Sequence, residues 1–185
     1  FRLILLTGQR PGEVASATWT EIEGNEWHLP AERSKNRKPH IIPLSAQARR
    51  VLNDVRLDNA HLKFRSRKQG LGVKDYYDKF IFPSRLQGKP IRWLSKTCKK
   101  VVEDAKVAKF TPHDLRRTAA TKMRQLKISR EVVSKILNHT PQDVTSLHYD
   151  HYELLAERSE ALQTWGNYID TLVKSPVEAL SRTAA

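Results

Sequence analysis

Between Glu21 and Leu44 the chain abandons the helical spacing of apolar residues that governs the rest of it. "EGNEWHLP", "AERSK" and "KPHIIPLS" are short extended runs separated by turn-prone residues, with Ile41, Ile42 and Leu44 apolar near the end. They predict a small antiparallel sheet with Lys35 beside its second turn. Upstream, "FRLILLTGQRPGEVASATW" reads as two helical pieces, Gly8 ending the first and Pro11 opening the second, with Arg10 at the junction. Downstream, Ser45 caps "SAQARRVLNDVR", in which Val51, Leu52 and Val55 recur at helical spacing. The polar, basic stretch 59–78 gives no assignable element. "IRWLSKTCKKVVEDAKV" is helical by pattern, and "SREVVSKILNHT", capped by Ser129, buries Val132, Val133, Ile136 and Leu137. The remainder, "LHYDHYELLAERSEALQTWGNYIDTLV", is one or two helices before a ragged tail. The fold class is therefore mostly α with a small antiparallel β-sheet (α+β), in one domain over 1–185.

The helix that opens in "TPHDLRRTAAT" has a complete start signal. Thr111 is an N-cap, Pro112 suits the first helical position, and Asp114 falls where it completes a capping box. His113 and Arg116 then lie on one face beside the positive end of the helix, an arrangement suited to a phosphate.

The charge balance points the same way. Lys and Arg number 33 against 20 Asp and Glu, a formal net charge of +13 with a pI near 10.0, and the basic residues recur along the whole length. A polyanion is the natural partner, and nucleic acid fits better than a membrane surface, since the chain has neither a lipidation signal nor an apolar run of about 18 residues. Cys98 is the only cysteine, which excludes an internal disulfide and a cysteine-based metal cluster and fits a reducing compartment. The chain opens on "FRLILLTG" without an initiator Met and without the flanks of a signal peptide, which reads as a buried helix cut from something longer.

The polar residues gather into a set. "TGQRPGE" supplies Arg10 and Glu13, "RSKNRKPH" Lys35, "HDLRRT" His113 and Arg116, "LNHT" His139, and "HYDHY" Tyr149. Singly each is an ordinary surface residue. In this order and spacing, over nearly the whole chain, they resemble the tyrosine recombinases, the phage integrase family. The chemistry explains the residue types: a hydroxyl attacking a phosphodiester builds negative charge on the non-bridging oxygens, which two permanently charged guanidinium forks neutralise. Arg10 and Arg116 are the candidates. His113 and His139 can donate to the same phosphate or move a proton; the resemblance implies proton transfer at His113 and phosphate contact at His139.

A lysine on the sheet's second turn could protonate the departing 5′-oxygen. Arg33, Arg37 and Lys38 crowd the same hairpin and, with Arg117, are candidate DNA-backbone contacts; the resemblance favours Lys35 as the acid, with Lys38 the fallback. "HYDHY" offers Tyr149 and Tyr152 as nucleophile. The family pattern, a Tyr followed two residues later by His and about ten residues after the second histidine, selects Tyr149. Tyr76, Tyr77 and Tyr168 are read as packing residues. Glu13 matches the family's acidic position and implies orientation of Arg10 or a histidine.

The resemblance implies a site-specific recombinase or integrase of a phage or other mobile element that works through a 3′-phosphotyrosine. No metal is implied, since the carboxylates are not clustered and the histidines are interleaved with arginines that would repel a cation, and no nucleotide cofactor, because a phosphotyrosine stores the bond energy. The resemblance further implies double-stranded DNA as partner, a homotetramer on DNA when full length, possible accessory DNA-bending proteins, and action in the bacterial cytoplasm at the nucleoid. A core-binding part amino-terminal to this catalytic domain is expected to be missing, and the helical tail, about 154–185, is expected to dock on a neighbouring subunit. A type IB-like topoisomerase and a non-catalytic DNA-binding regulator are the alternatives.

Overall fold

The computed structural model describes residues 1–68, 76–84, 89–92, 94–139 and 154–182. Its first helix, α1 (Arg2–Thr7), is short and apolar on nearly every side because it is surrounded. Leu3, Ile4 and Leu6 are buried, and the helix lies against three later ones, described below as α3, α6 and α8. Gly8 ends it in the left-handed region (φ 67°), where its N–H returns to the Ile4 carbonyl. Pro11 then opens α2 (Pro11–Ala15), as the sequence predicts.

A three-stranded antiparallel sheet follows in the order β1 (Ile22–Glu23), β2 (Glu26–Leu29), β3 (His40–Pro43). Trp27 pairs with Ile42, and Leu29 with His40. Trp27, Leu29 and Ile42 face the core while Glu26, His28 and Ile41 are half-buried, the two-residue alternation of a one-sided sheet. One expectation fails here: "AERSK" is not extended. The Arg33 and Ser34 N–H groups bond back to the Pro30 carbonyl, so this stretch is a turn within the β2–β3 connection.

Ser45 caps α3 (Ala46–Lys68) by accepting from the Ala48 N–H at 3.3 Å. The helix runs well past Val55, into the stretch that sequence patterning leaves blank. No Gly or Pro interrupts 46–69, and buried Asn59 ties the extension down by donating to the Ile81 carbonyl at 3.1 Å. The short α4 (Tyr76–Lys79) also lies in that blank stretch. Next come α5 (Leu94–Ala105), which buries Cys98 and begins later than the pattern suggests, α6 (Pro112–Gln125) and α7 (Arg130–Ile136).

The last helix, α8 (Leu155–Arg182), closes the core. Ala161, Leu162 and Trp165 are buried, and the Trp165 indole donates to the Leu5 carbonyl at 2.8 Å. Buried Arg158 reaches the Ile41 carbonyl at 3.0 Å, pinning the helix to the sheet. The first half of α8 thus packs on the chain's own core, and beyond it Leu172 and Val173 are exposed. Tyr77 is buried and Tyr168 stacks on Trp165, as packing residues would; the side chain of Tyr76 lies outside those described. No described helix is long and apolar enough to cross a membrane.

Candidate active site

The site forms where the α1–α2 junction meets the start of α6, the end of α7 and the β2–β3 connection. Glu13, in the first turn of α2 and 5% exposed, organises it. Its carboxylate accepts the Arg10 N–H at 3.3 Å, pairs with the Arg10 guanidinium at 3.2 Å, and accepts the Lys35 N–H at 3.2 Å. Among the described residues Glu13 thus holds Arg10 and the Lys35 main chain and bonds no histidine.

At α6 the capping box forms as read. Asp114 N–H donates to Thr111 Oγ1 at 3.3 Å; in return the Thr111 hydroxyl at 2.8 Å and the Thr111 N–H at 2.9 Å donate to the Asp114 carboxylate and hold it below its usual pKa. One turn on, Arg116 points inward, only 5% exposed. Its two terminal nitrogens donate to the Gly8 carbonyl at 2.7 Å and the Leu137 carbonyl at 2.6 Å. Burial, and next the neighbouring Arg10 charge, lower its pKa to about 10, with Glu13 opposing. It remains charged at neutral pH, but in a setting that favours an added anion.

The end of α7 completes the arrangement. A helix leaves its last carbonyls without partners, and here side chains of the site close them. Ile136 O accepts from Gln9 at 2.7 Å and from the His40 ring at 3.1 Å; Leu137 O accepts from Arg116; Asn138 O accepts from Asn36 at 2.6 Å and Arg10 at 3.4 Å. Asn138 turns the chain with φ 48°, and His139 emerges exposed beside it. Loss of part of its water to the surrounding protein, then the Arg116 and Arg10 charges, lower the pKa of the His139 ring and favour its neutral form. His40 is buried, and its pKa falls to about 4.

The structure thus brings together Arg10, Glu13, the Lys35 backbone, Arg116 and the turn that carries His139. The Lys35 side chain is exposed and makes no bond among the described residues. His113 is exposed on the first turn of α6 and borders a groove with Pro11, Gly12 and Arg92. Arg37, Lys38 and Arg117 are exposed. Arg33, read with them, is turned inward: it bonds Glu21 at 2.7 Å, the Glu13 carbonyl at 3.2 Å and the Ser16 hydroxyl, and braces the site from behind. Tyr149, Tyr152 and His151 lie outside the described residues.

Sequence reasoning passed over Gln9, Ser34, Asn36, His40 and Asn138. Asn36 was hidden among the charges of "RSKNRKPH", and Gln9 stands in the helix break between Gly8 and Arg10, where a polar residue carries no signal. Among the described residues no group of three His, Cys, Asp or Glu is placed to hold a metal ion.

Arg10 and Arg116, held beside the single carboxylate of Glu13, leave this place with excess positive charge, which favours an anion. Comparison with known proteins gives the family and the fold. Residues 1–154 match the model of the phage integrase family. The prophage integrase IntA of Escherichia coli (strain K12) is 29% identical over 169 residues, covering 89% of this chain and 37% of that protein. The prophage integrase IntZ of the same strain is 27% identical over 175 residues, covering 93% and 39%. The chain spans less than two fifths of the length of these two relatives. The fold is shared with XerA recombinase (TM-score 0.58, 18% identity, 85% of this chain and 55% of that one). It is also shared with the Tn1549 transposon integrase solved in complex with circular intermediate DNA (TM-score 0.52, 21% identity, 85% and 54%).

Proposed function

Since the chain belongs to the phage integrase family, we propose that it is the catalytic part of a site-specific recombinase that cuts and rejoins double-stranded DNA through a 3′-phosphotyrosine on Tyr149. The observation that carries this reading is the pair Arg10 and Arg116, fixed by Glu13 and by backbone carbonyls, with Lys35 on the adjoining loop. Such donors gain most when charge builds on the phosphate, as it does when an oxygen attacks phosphorus. The Tn1549 integrase, which shares the fold, is recorded with DNA, and that supports DNA as the partner here.

In this reading Tyr149 Oη attacks the phosphorus, passing its proton to His113. Arg10, Arg116 and the neutral His139 ring donate to the non-bridging oxygens. The bond from phosphorus to the 5′-oxygen breaks, and Lys35 Nζ gives that oxygen a proton. Rejoining runs the same steps backward, so neither a metal nor a nucleotide is consumed. Arg37, Lys38 and Arg117 supply salt-sensitive backbone contacts. The assembled enzyme is a homotetramer on DNA, joined where needed by DNA-bending proteins, and acts in the bacterial cytoplasm. The part of α8 beyond Asp170 is the segment available for a neighbouring subunit.

The test is covalent capture. Nicked duplexes selected from a randomised pool by trapping on the wild-type protein should give an adduct that survives denaturation, unaffected by a chelator. Tyr149→Phe should abolish the adduct and leave DNA binding nearly intact, because it removes one hydroxyl and no charge. Persistence of the adduct in Tyr149→Phe and its loss in Tyr152→Phe would move the nucleophile to Tyr152. Binding without any adduct would make the chain a regulator, and relaxation of supercoiled DNA without synapsis would make it a topoisomerase.

A further inference from the structure

Three consecutive residues of the β2–β3 connection are tied to three different parts of the site. Ser34 Oγ accepts from the Asn138 amide at 3.2 Å, the Lys35 N–H donates to Glu13 at 3.2 Å, and the Asn36 side chain is used at both ends. Its oxygen accepts from Arg10 at 3.3 Å while its nitrogen donates to the Asn138 carbonyl at 2.6 Å. The backbone on both sides of Lys35 is therefore fixed, and the lysine's four-carbon arm is left free. Exposed loop residues without such ties sample many backbone states, which dilutes the one from which a proton reaches its acceptor.

We propose that Asn36 is a positioning residue, joining the Lys35 loop to Arg10 and to the His139 turn so that the general acid is held in reach of the 5′-oxygen before DNA arrives. The inference rests on the reading of Lys35 as that acid. The side chain must offer an acceptor to a guanidinium and, from a second atom two bonds away, a donor to a carbonyl, which an amide does and an alanine, a serine with its single oxygen or a carboxylate does not. Asn138 supports the same link from the other side. Its left-handed backbone (φ 48°) would equally suit glycine, but only the amide reaches Ser34.

The experiment compares single-turnover cleavage of two suicide duplexes, one with the natural 5′-oxygen and one with a bridging 5′-sulfur at the scissile phosphate. A thiolate leaves without a proton, so sulfur removes the need for an acid. Asn36→Ala should slow cleavage of the oxygen substrate by roughly 10- to 100-fold, less than Lys35→Ala, and sulfur should restore both variants to near wild type. Asn138→Gly, which keeps the turn and the carbonyl, should show a smaller loss with the same rescue. If sulfur rescues Lys35→Ala but not Asn36→Ala, Asn36 acts through Arg10 or through general folding, and the inference is overturned while the reading of Lys35 stands. Rescue of neither variant overturns the acid assignment and the inference with it. A fall in the thermal midpoint of Asn36→Ala without any oxygen-specific loss would leave it a structural residue only.

Discussion

Arg116 is bound at both terminal nitrogens by carbonyl oxygens of Gly8 and Leu137, so it belongs to the fold as much as to any chemistry. Losing it would strand two buried acceptors, each worth about 1–3 kcal/mol when unpaired. His40 shows the same dual bookkeeping through pH. Its ring N–H donates to Ile136 O, which fixes the neutral tautomer. Burial, and secondarily Arg158, Arg116 and Arg10, holds its pKa at about 4 in the folded chain, against an ordinary value near 6.5 when unfolded. Above about pH 6.5 both states are neutral at this position and full stability is present. As pH falls from 6.5 toward 4, the unfolded chain takes up a proton that the folded chain refuses, and stability is lost, by as much as about 3 kcal/mol at the lower end. His139, shifted in the same direction, adds to that loss. Urea unfolding at pH 7.5, 5.5 and 4.5 should therefore show a steep decline that His40→Gln, which keeps a donor toward Ile136 O, makes shallower. Parallel declines in the two proteins would assign the acid sensitivity elsewhere.

Helix α8 meets α3 at Gly166, and the closeness of that crossing is testable. A Cβ there would fall against the Gln47 amide and 3.1 Å from the Ser45 hydroxyl that caps α3. Gln47 is buried and bonds Asn167 at 2.9 Å and Asp170 at 3.0 Å, so it cannot swing aside freely. Gly166→Ala should lower stability by about 1–2 kcal/mol in spite of its better helix propensity. Gly12→Ala, with nothing within 4 Å of the added carbon, should be neutral or slightly stabilising. Thermal unfolding of the two variants decides the matter, and equal midpoints would mean that α8 yields at the crossing.

The helix starts at Thr111, Ser129 and Ser45 were legible because a cap and its partner lie three residues apart. So were the Gly8–Pro11 break and the sheet between Ile22 and Pro43. The extension of α3 to Lys68 was not, since a solvated helix without an apolar stripe carries no periodicity to read. Nor was "AERSK" as a turn, because Arg33 there takes its identity from buried Glu21, a contact no local pattern encodes. Within the site, the charged residues could be recognised by type and order. The amides that join them could not: Asn36 and Asn138 are 102 positions apart, and each is an unremarkable polar residue where it stands.

Taken together, the chain concentrates fixed positive charge in one place and holds it against its own repulsion. A phosphate-like anion should relieve that repulsion and stabilise the folded state by mass action, about 1.4 kcal/mol at ten times its dissociation constant. Orthovanadate should raise the melting temperature more than chloride at equal ionic strength, and Arg10→Ala should erase the difference. An equal shift in the variant would mean that the anion binds the general basic surface instead.

The closure of the α7 carbonyls by Gln9, His40, Arg116, Asn36 and Arg10 also bears on how such chains diverge. In a lineage that no longer needs the reaction, substitution at Arg116 would still be purged, because the end of a core helix would come loose. Retention of Arg116 alone is therefore a weaker witness to activity than retention of Arg10, whose carbonyl partner is also served by Asn36. Lys35 is tied only through its main-chain N–H, which almost any residue would supply. Relaxed selection would show there first, and a descendant with both arginines but no lysine at this position would be a folded relic of the enzyme.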